Sequence, residues 1–189
     1  VTPYYNKTNE NGLIEHFNFI AEHANLPMIV YNVPSRTGMS IVPETYRKLS
    51  ANPLICAVKE ASGSIASIAR TRALCGDELD IYAGNDDYIV PVLSLGGKGV
   101  ISVLGNLLPN KVHEMCTLCA NGKFASAAKL QIELMPLIDS LFSDVNPIPV
   151  KEALALAGFD VGPLRLPLSP LSEEHREALR SALRHFALI

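Results

Sequence analysis

Four short apolar runs punctuate the first half of the chain: Met28–Val33, Leu54–Val58, Leu79–Ala83 and Val100–Val103. They are apolar at nearly every residue, which suits strands covered on both faces better than strands with one wet side. Between the runs, apolar positions recur with a helical period. Leu13, Phe17, Ile20, Ala21 and Ala24 form one stripe. Pro43-Glu44 opens a second helix, because proline is tolerated at the first helical position. Ile65, Ile68 and Ala69 mark a third, and a fourth lies between Asp86 and Leu95, where Pro91 is expected to perturb it. The order strand, helix, strand, helix predicts a parallel α/β sheet.

The alternation stops near Val103. From Pro109 onward the pattern is helical over 109–121, 124–142, 149–157 and 172–187, with Pro/Gly-punctuated connections at 143–149 and 158–170. Ser172 followed by Glu173 and Glu174 reads as a helix start, with a capping hydroxyl and acids at the positive end of the dipole. The chain is therefore read as an α/β body carrying a C-terminal helical appendage. Period alone does not separate an open doubly wound sheet from a closed barrel. No G-x-G-x-x-G follows a strand, so the dinucleotide fingerprint is missing. Gly96-Gly97-Lys98-Gly99 follows a helix and precedes a strand, the reverse of a phosphate loop, and predicts a turn.

Composition narrows the function classes. The 189 residues, 48% hydrophobic, suffice for one filled domain or a domain with a small addition. Net charge is −3 with 19% charged residues and no basic patch, so nothing points to nucleic acid. No apolar run is long enough for a bilayer, so no membrane association is expected. Val1-Thr-Pro-Tyr-Tyr-Asn6 carries neither an initiator Met nor a leader and reads as a strand end entering a loop. The four cysteines do not form a secreted framework. Val112, Met115, Cys116 and Cys119 fall on one helical face, so core thiols are expected rather than a metal site. A reducing, cytosol-like compartment fits them. The five histidines fall on predicted helices without ligand spacing.

Lys59 is the sharpest chemical feature. It directly follows the run Leu54–Val58, so it sits at the C-terminal end of a buried strand, where parallel α/β enzymes place their chemistry. Partial desolvation there disfavours the ammonium, and a neutral amine can attack a ketone to form a Schiff base. The competing reading is a structural lysine paired with Glu60 or Asp86. Tyr31 ends the preceding run and would stand beside Lys59 if the two strands are neighbours. It is either a proton relay or a buried tyrosine with a satisfied hydroxyl. Arg36, in the loop Pro34–Gly38, is either a two-pronged carboxylate holder or a solvated surface group. Tyr4 and Tyr5 suit an interface or edge packing. Gly84 and Asp86, after the third run, line the same mouth or form a turn with a helix cap.

Six segments together resemble the dihydrodipicolinate synthase family, in its order and spacing. They are Val1–Asn6, Tyr31–Gly38, Val58–Gly63, Gly84–Asp87, Gly97–Ser102 and Asn146–Lys151. That family lies within the pyruvate-dependent class I aldolases, with N-acetylneuraminate lyase. The resemblance implies the C-terminal part of a (β/α)8 TIM barrel over residues 1–121, followed by a helical domain over 122–189. It implies a lyase of lysine and diaminopimelate biosynthesis that condenses pyruvate with L-aspartate 4-semialdehyde. It needs no metal or separate cofactor, only a covalent pyruvate imine on Lys59. By the same resemblance Tyr31 relays protons, and Tyr5 completes the relay across a dimer interface. Arg36 holds the semialdehyde carboxylate, Ile101 offers a backbone contact to pyruvate, and Gly84 and Asp86 line the substrate site. Tyr4 matches an interface position tied to lysine feedback. A homodimer or homotetramer in the cytoplasm, or in a plant plastid stroma, is implied.

A typical barrel needs about 250 residues, so the family's barrel is expected to begin about four strands before Val1. The isolated chain is then expected not to turn over unless the first half is supplied. Two other functions share part of this pattern. A sister lyase acting on a sugar acid would share Lys59 and Tyr31, but a polyol aldehyde calls for neutral partners where Arg36 stands. A non-catalytic oligomerising fragment would leave Lys59 unreactive.

Overall fold

The computed structural model describes residues 1–189. Four strands, β1 (Met28–Asn32), β2 (Ile55–Glu60), β3 (Asp80–Ala83) and β4 (Gly99–Val100), form one sheet in sequence order, every pair parallel. Parallel neighbours cannot be joined by a tight turn, so helices make the crossovers. In chain order the helices of this part are α1 (Glu10–Ala24), the single turn α2 (Pro34–Thr37), α3 (Pro43–Leu49), α4 (Ile65–Cys75) and α5 (Ile89–Ser94). The chain divides into two compact units, Val1–Ile101 and Ser102–Ile189.

The two faces of the sheet differ. Val30, Asn32, Val58, Glu60, Ile81 and Ala83 alternate onto one face and are all buried. On the helical side α1 packs on α3, α3 on α4, and α4 on α5. The opposite face carries Ile29, Tyr31, Lys59, Asp80 and Tyr82, which keep part of their surface, Ile29 as much as 46% of it. Ala57, in register with Ile29 and Asp80, is buried on this face too, so the expectation of strands covered on both faces holds for the first face and only in part for the second.

Local chemistry accounts for the boundaries. The Asn9 side chain caps α1 by accepting the Gly12 N–H at 3.0 Å, and Leu13, Phe17 and Ala21 turn inward. Ile20 and Ala24, expected in the same stripe, lie outside it and are exposed. Segment 34–38, read as a loop, closes into one helical turn because Pro34 starts it and Gly38, at φ 67°, ends it. Pro91 sits third in α5, where its missing N–H would have had no helical partner, so it does not break the helix. The Gly96–Gly99 stretch is a turn, as expected: Gly96 adopts φ 87° and the Gly97 N–H returns to the Val92 carbonyl at 3.0 Å. The last strand is shorter than the run 100–103. Ser102 Oγ accepts the Gly105 N–H at 2.7 Å and turns the chain into a 3-10 segment at Leu104–Asn106.

The second unit is helical: α6 (Pro109–Ala120), α7 (Phe124–Leu141), α8 (Ile148–Leu156) and α9 (Glu173–His185). Ser172 caps α9 by accepting the His175 N–H at 3.2 Å. Val112, Met115 and Cys119 are buried on α6, Ala127, Leu130, Leu134 and Leu137 are buried on α7, and the two helices pack together. All four cysteines are free. No helix is long and apolar enough to cross a membrane.

Leu134 is fully buried in α7. Leu134→Ala is expected to lower the unfolding free energy by about 2–5 kcal/mol, read from urea denaturation followed by circular dichroism.

Candidate active site

Register decides which side chains meet. Asn32 pairs with Glu60 and Tyr31 with Lys59 across β1 and β2, and Lys59 pairs in turn with Tyr82 of β3. Side chains in register on parallel strands project to the same face. Tyr31, Lys59 and Tyr82 therefore form a row on the partly open face, at the C-terminal end of the sheet. Lys59 Nζ lies 4.3 Å from the centroid of the Tyr31 ring. The Tyr82 ring lies toward β4, within 3.5 Å of where a Cβ on Gly99 would stand.

The surroundings set the chemistry of the amine. Burial lowers the Lys59 pKa, the Asp86 carboxylate pulls it back up, and the Arg36 guanidinium lowers it again. Burial outweighs the carboxylate, so the neutral amine is more available than on a solvated lysine. Tyr31 moves the other way. Burial raises its pKa and Arg36 lowers it in part, so the phenol keeps its proton near neutrality. Lys59 and Tyr31 together offer a nucleophile and a proton-carrying hydroxyl side by side.

The remaining expected residues fall into two groups. Arg36, exposed on α2, and Asp86, 1% exposed at the start of the 3-10 segment Asp86–Tyr88, both act electrostatically on Lys59. Gly84 follows β3, and its N–H reaches the Glu60 carbonyl at 2.7 Å. A Cβ there would stand 2.7 Å from the Ala61 Cβ and 2.8 Å from the Glu60 carbonyl oxygen, so glycine is needed for this close approach. Ile101 donates its N–H to the Ala83 carbonyl at 3.0 Å, extending the ladder past β4 and leaving its carbonyl to offer. Tyr4 and Tyr5 are not drawn into the cluster; their side chains are 67% and 94% exposed. Thr2, fully buried, anchors their loop by donating from Oγ1 to Thr37 Oγ1 at 2.8 Å, beside Arg36.

Sequence reasoning paired Lys59 with Glu60 or Asp86 as a structural alternative. Glu60 points to the opposite face, 5% exposed, and accepts from Asn32, Tyr46 and the Ser62 N–H. That buried cluster, and Tyr82 in the Lys59 row, were missed. Tyr82 was findable from the alternation in Leu79-Asp-Ile-Tyr-Ala83. The donor from α3, Tyr46, leaves no mark in the sequence. No group of three or more His, Cys, Asp or Glu side chains is arranged to hold a metal ion.

The chain matches the family described as "Dihydrodipicolinate synthetase family" over residues 1–186. It is 52% identical over 189 residues to 4-hydroxy-tetrahydrodipicolinate synthase 1 of Clostridium acetobutylicum, covering 100% of this chain and 64% of that protein. The crystal structure of dihydrodipicolinate synthase from Thermotoga maritima superposes with a TM-score of 0.96 at 41% identity, over 100% of this chain and 65% of the other. Dihydrodipicolinate synthase from Acinetobacter baumannii, solved with pyruvate, gives 0.95 at 38% identity, over 100% and 65%. The chain thus spans about 64% of the length of the curated relative it matches. The parallel sheet and these neighbours bear out the expected fold class, the C-terminal part of a (β/α)8 barrel followed by a helical domain. A match along nearly the whole chain, in sequence and in fold, means that this protein belongs to the dihydrodipicolinate synthetase family.

Proposed function

We propose that this chain carries the amine of a 4-hydroxy-tetrahydrodipicolinate synthase, a lyase that joins pyruvate to L-aspartate 4-semialdehyde in lysine and diaminopimelate biosynthesis. The observation that carries the reading is the Lys59 amine, lowered in pKa by burial and held 4.3 Å from the Tyr31 ring at the end of β2. The names of the relatives support the same reaction.

The neutral Nζ of Lys59 attacks C2 of pyruvate. The carbinolamine loses its hydroxyl as water, taking a proton relayed by the Tyr31 hydroxyl, and an iminium remains. Loss of a methyl proton gives the enamine, whose carbon attacks the semialdehyde aldehyde. Arg36 holds the semialdehyde carboxylate through paired hydrogen bonds. The amino group of the bound semialdehyde then closes the ring on C2 and displaces Lys59. The Ile101 carbonyl contacts pyruvate, and Gly84 and Asp86 line the mouth, Asp86 balancing the cationic iminium. Tyr5 extends the proton relay, and Tyr4 serves an effector site, from a neighbouring copy in a homo-oligomer. Their exposure suits that placement. Soluble substrates and free cysteines suit a reducing, cytosol-like compartment.

The test is borohydride reduction in the presence of pyruvate, read by intact mass and peptide mapping. A reduced pyruvate adduct is expected on Lys59 and none in Lys59→Arg; an unlabelled wild-type chain refutes the assignment. The pH dependence adds a second check. Only the neutral amine attacks, so the trapping rate climbs with pH and levels off above the Lys59 pKa. That pKa is lowered, so the plateau should arrive below the ordinary lysine value of about 10.4. Arg36→Gln removes a positive charge that disfavours the ammonium, and should move the plateau to higher pH. A midpoint that stays in place would remove Arg36 from the neighbourhood of the amine.

A further inference from the structure

The buried side of the sheet, directly behind the reactive row, holds a cluster that the chemistry above does not use. Glu60 Oε1 accepts the Ser62 N–H at 2.7 Å and Asn32 Nδ2 at 3.2 Å; Oε2 accepts the Tyr46 hydroxyl at 2.9 Å and Asn32 Nδ2 at 3.1 Å. Asn32 Oδ1 accepts the Ile41 N–H at 3.1 Å. The backbone joins in: the Asn32 carbonyl accepts the Ala61 N–H at 2.9 Å, and the Glu60 carbonyl accepts the Gly84 N–H at 2.7 Å. Asn32 ends β1, Glu60 ends β2 and Gly84 follows β3. Three strand ends are therefore tied at one point, and the residues just before the first two are Tyr31 and Lys59.

We propose that Glu60, with Asn32 and Tyr46, is a positioning group for Lys59: its buried carboxylate clamps the ends of β1 and β2 from beneath and fixes the amine against the Tyr31 ring. The proposal rests on the reading of Lys59 as the imine-forming amine. Donors from a side-chain amide, a phenol and a backbone N–H converge on one point. Asn32 Nδ2 lies 3.2 Å from one carboxylate oxygen and 3.1 Å from the other, so both must accept; a glutamine would set its own N–H donors against that amide, or lose an acceptor there, even with the Tyr46 hydroxyl turned to accept. Burying that charge for stability alone is poor economy, since an apolar filling would serve as well. Glu60 is not among the charges that shift Lys59; those belong to Asp86 and Arg36. Its action is geometric, and small misplacements of a reacting group are costly.

The test uses the 189-residue chain, saturating pyruvate and borohydride trapping across pH. Glu60→Gln should slow trapping per folded molecule by about tenfold or more, with the pH midpoint unmoved. Adding Asn32→Asp should restore most of the rate. The new carboxylate at position 32 accepts from the Ile41 N–H and from the new amide at position 60, while the Tyr46 hydroxyl reverses to accept. Tyr46→Phe, which removes one donor, should slow trapping by roughly threefold and keeps the idea testable if Glu60→Gln does not fold. Wild-type rates in the folded single variants would overturn the proposal. So would a double variant as slow as Glu60→Gln, or a midpoint moved by more than roughly half a pH unit, which would assign the effect to charge. A wild-type chain without an adduct at position 59 overturns the lysine reading and this proposal together; normal wild-type trapping with unaffected variants overturns this proposal alone.

Discussion

Everything described for the site depends on one constraint, the two-residue period of a strand. Lys59 and Glu60 are neighbours in sequence and must face opposite ways. The face of β2 that carries Val58 and Glu60 is buried, so the carboxylate that enters it must be fully hydrogen-bonded. The other face is partly open, so the amine can meet a small molecule. A one-residue slip of β2 would exchange the two, placing an ammonium among the donors of Asn32 and Tyr46 and a carboxylate against the Tyr31 ring. Neither arrangement is tenable, and the register is correspondingly well specified.

Much of this was legible in the sequence because it rests on local pattern. The apolar runs, the Ser172 cap and the position of Lys59 at a strand end all follow from short windows of sequence. The neighbourhood of Tyr31 and Lys59 needed one further step, the adjacency of consecutive parallel strands. What stayed hidden depends on distant chain segments. Tyr46 reaches Glu60 from a helix fourteen positions earlier, with nothing in its own surroundings to announce a buried partner. The early end of β4 comes from one hydroxyl, Ser102, that captures a backbone N–H three residues on. Ile20 and Ala24 are apolar yet exposed, as many apolar residues are, and a periodic stripe overstates its own width.

The family match covers residues 1–186, while the relatives are longer than this chain. Similarity fixes the fold and the family. The lowered pKa of the Lys59 amine is a matter of burial, of Asp86 and of Arg36, and owes nothing to any relative.

The contact between Gly84 and the Glu60 backbone has a bearing on redesign of the cleft. A library that varies the row on the partly open face can change Tyr82, whose ring leans toward β4. Codon 84 has to stay fixed, because every alternative brings a Cβ atom that would wedge the strand tips apart. Engineers thus inherit one immovable hinge pin beside one adjustable wall.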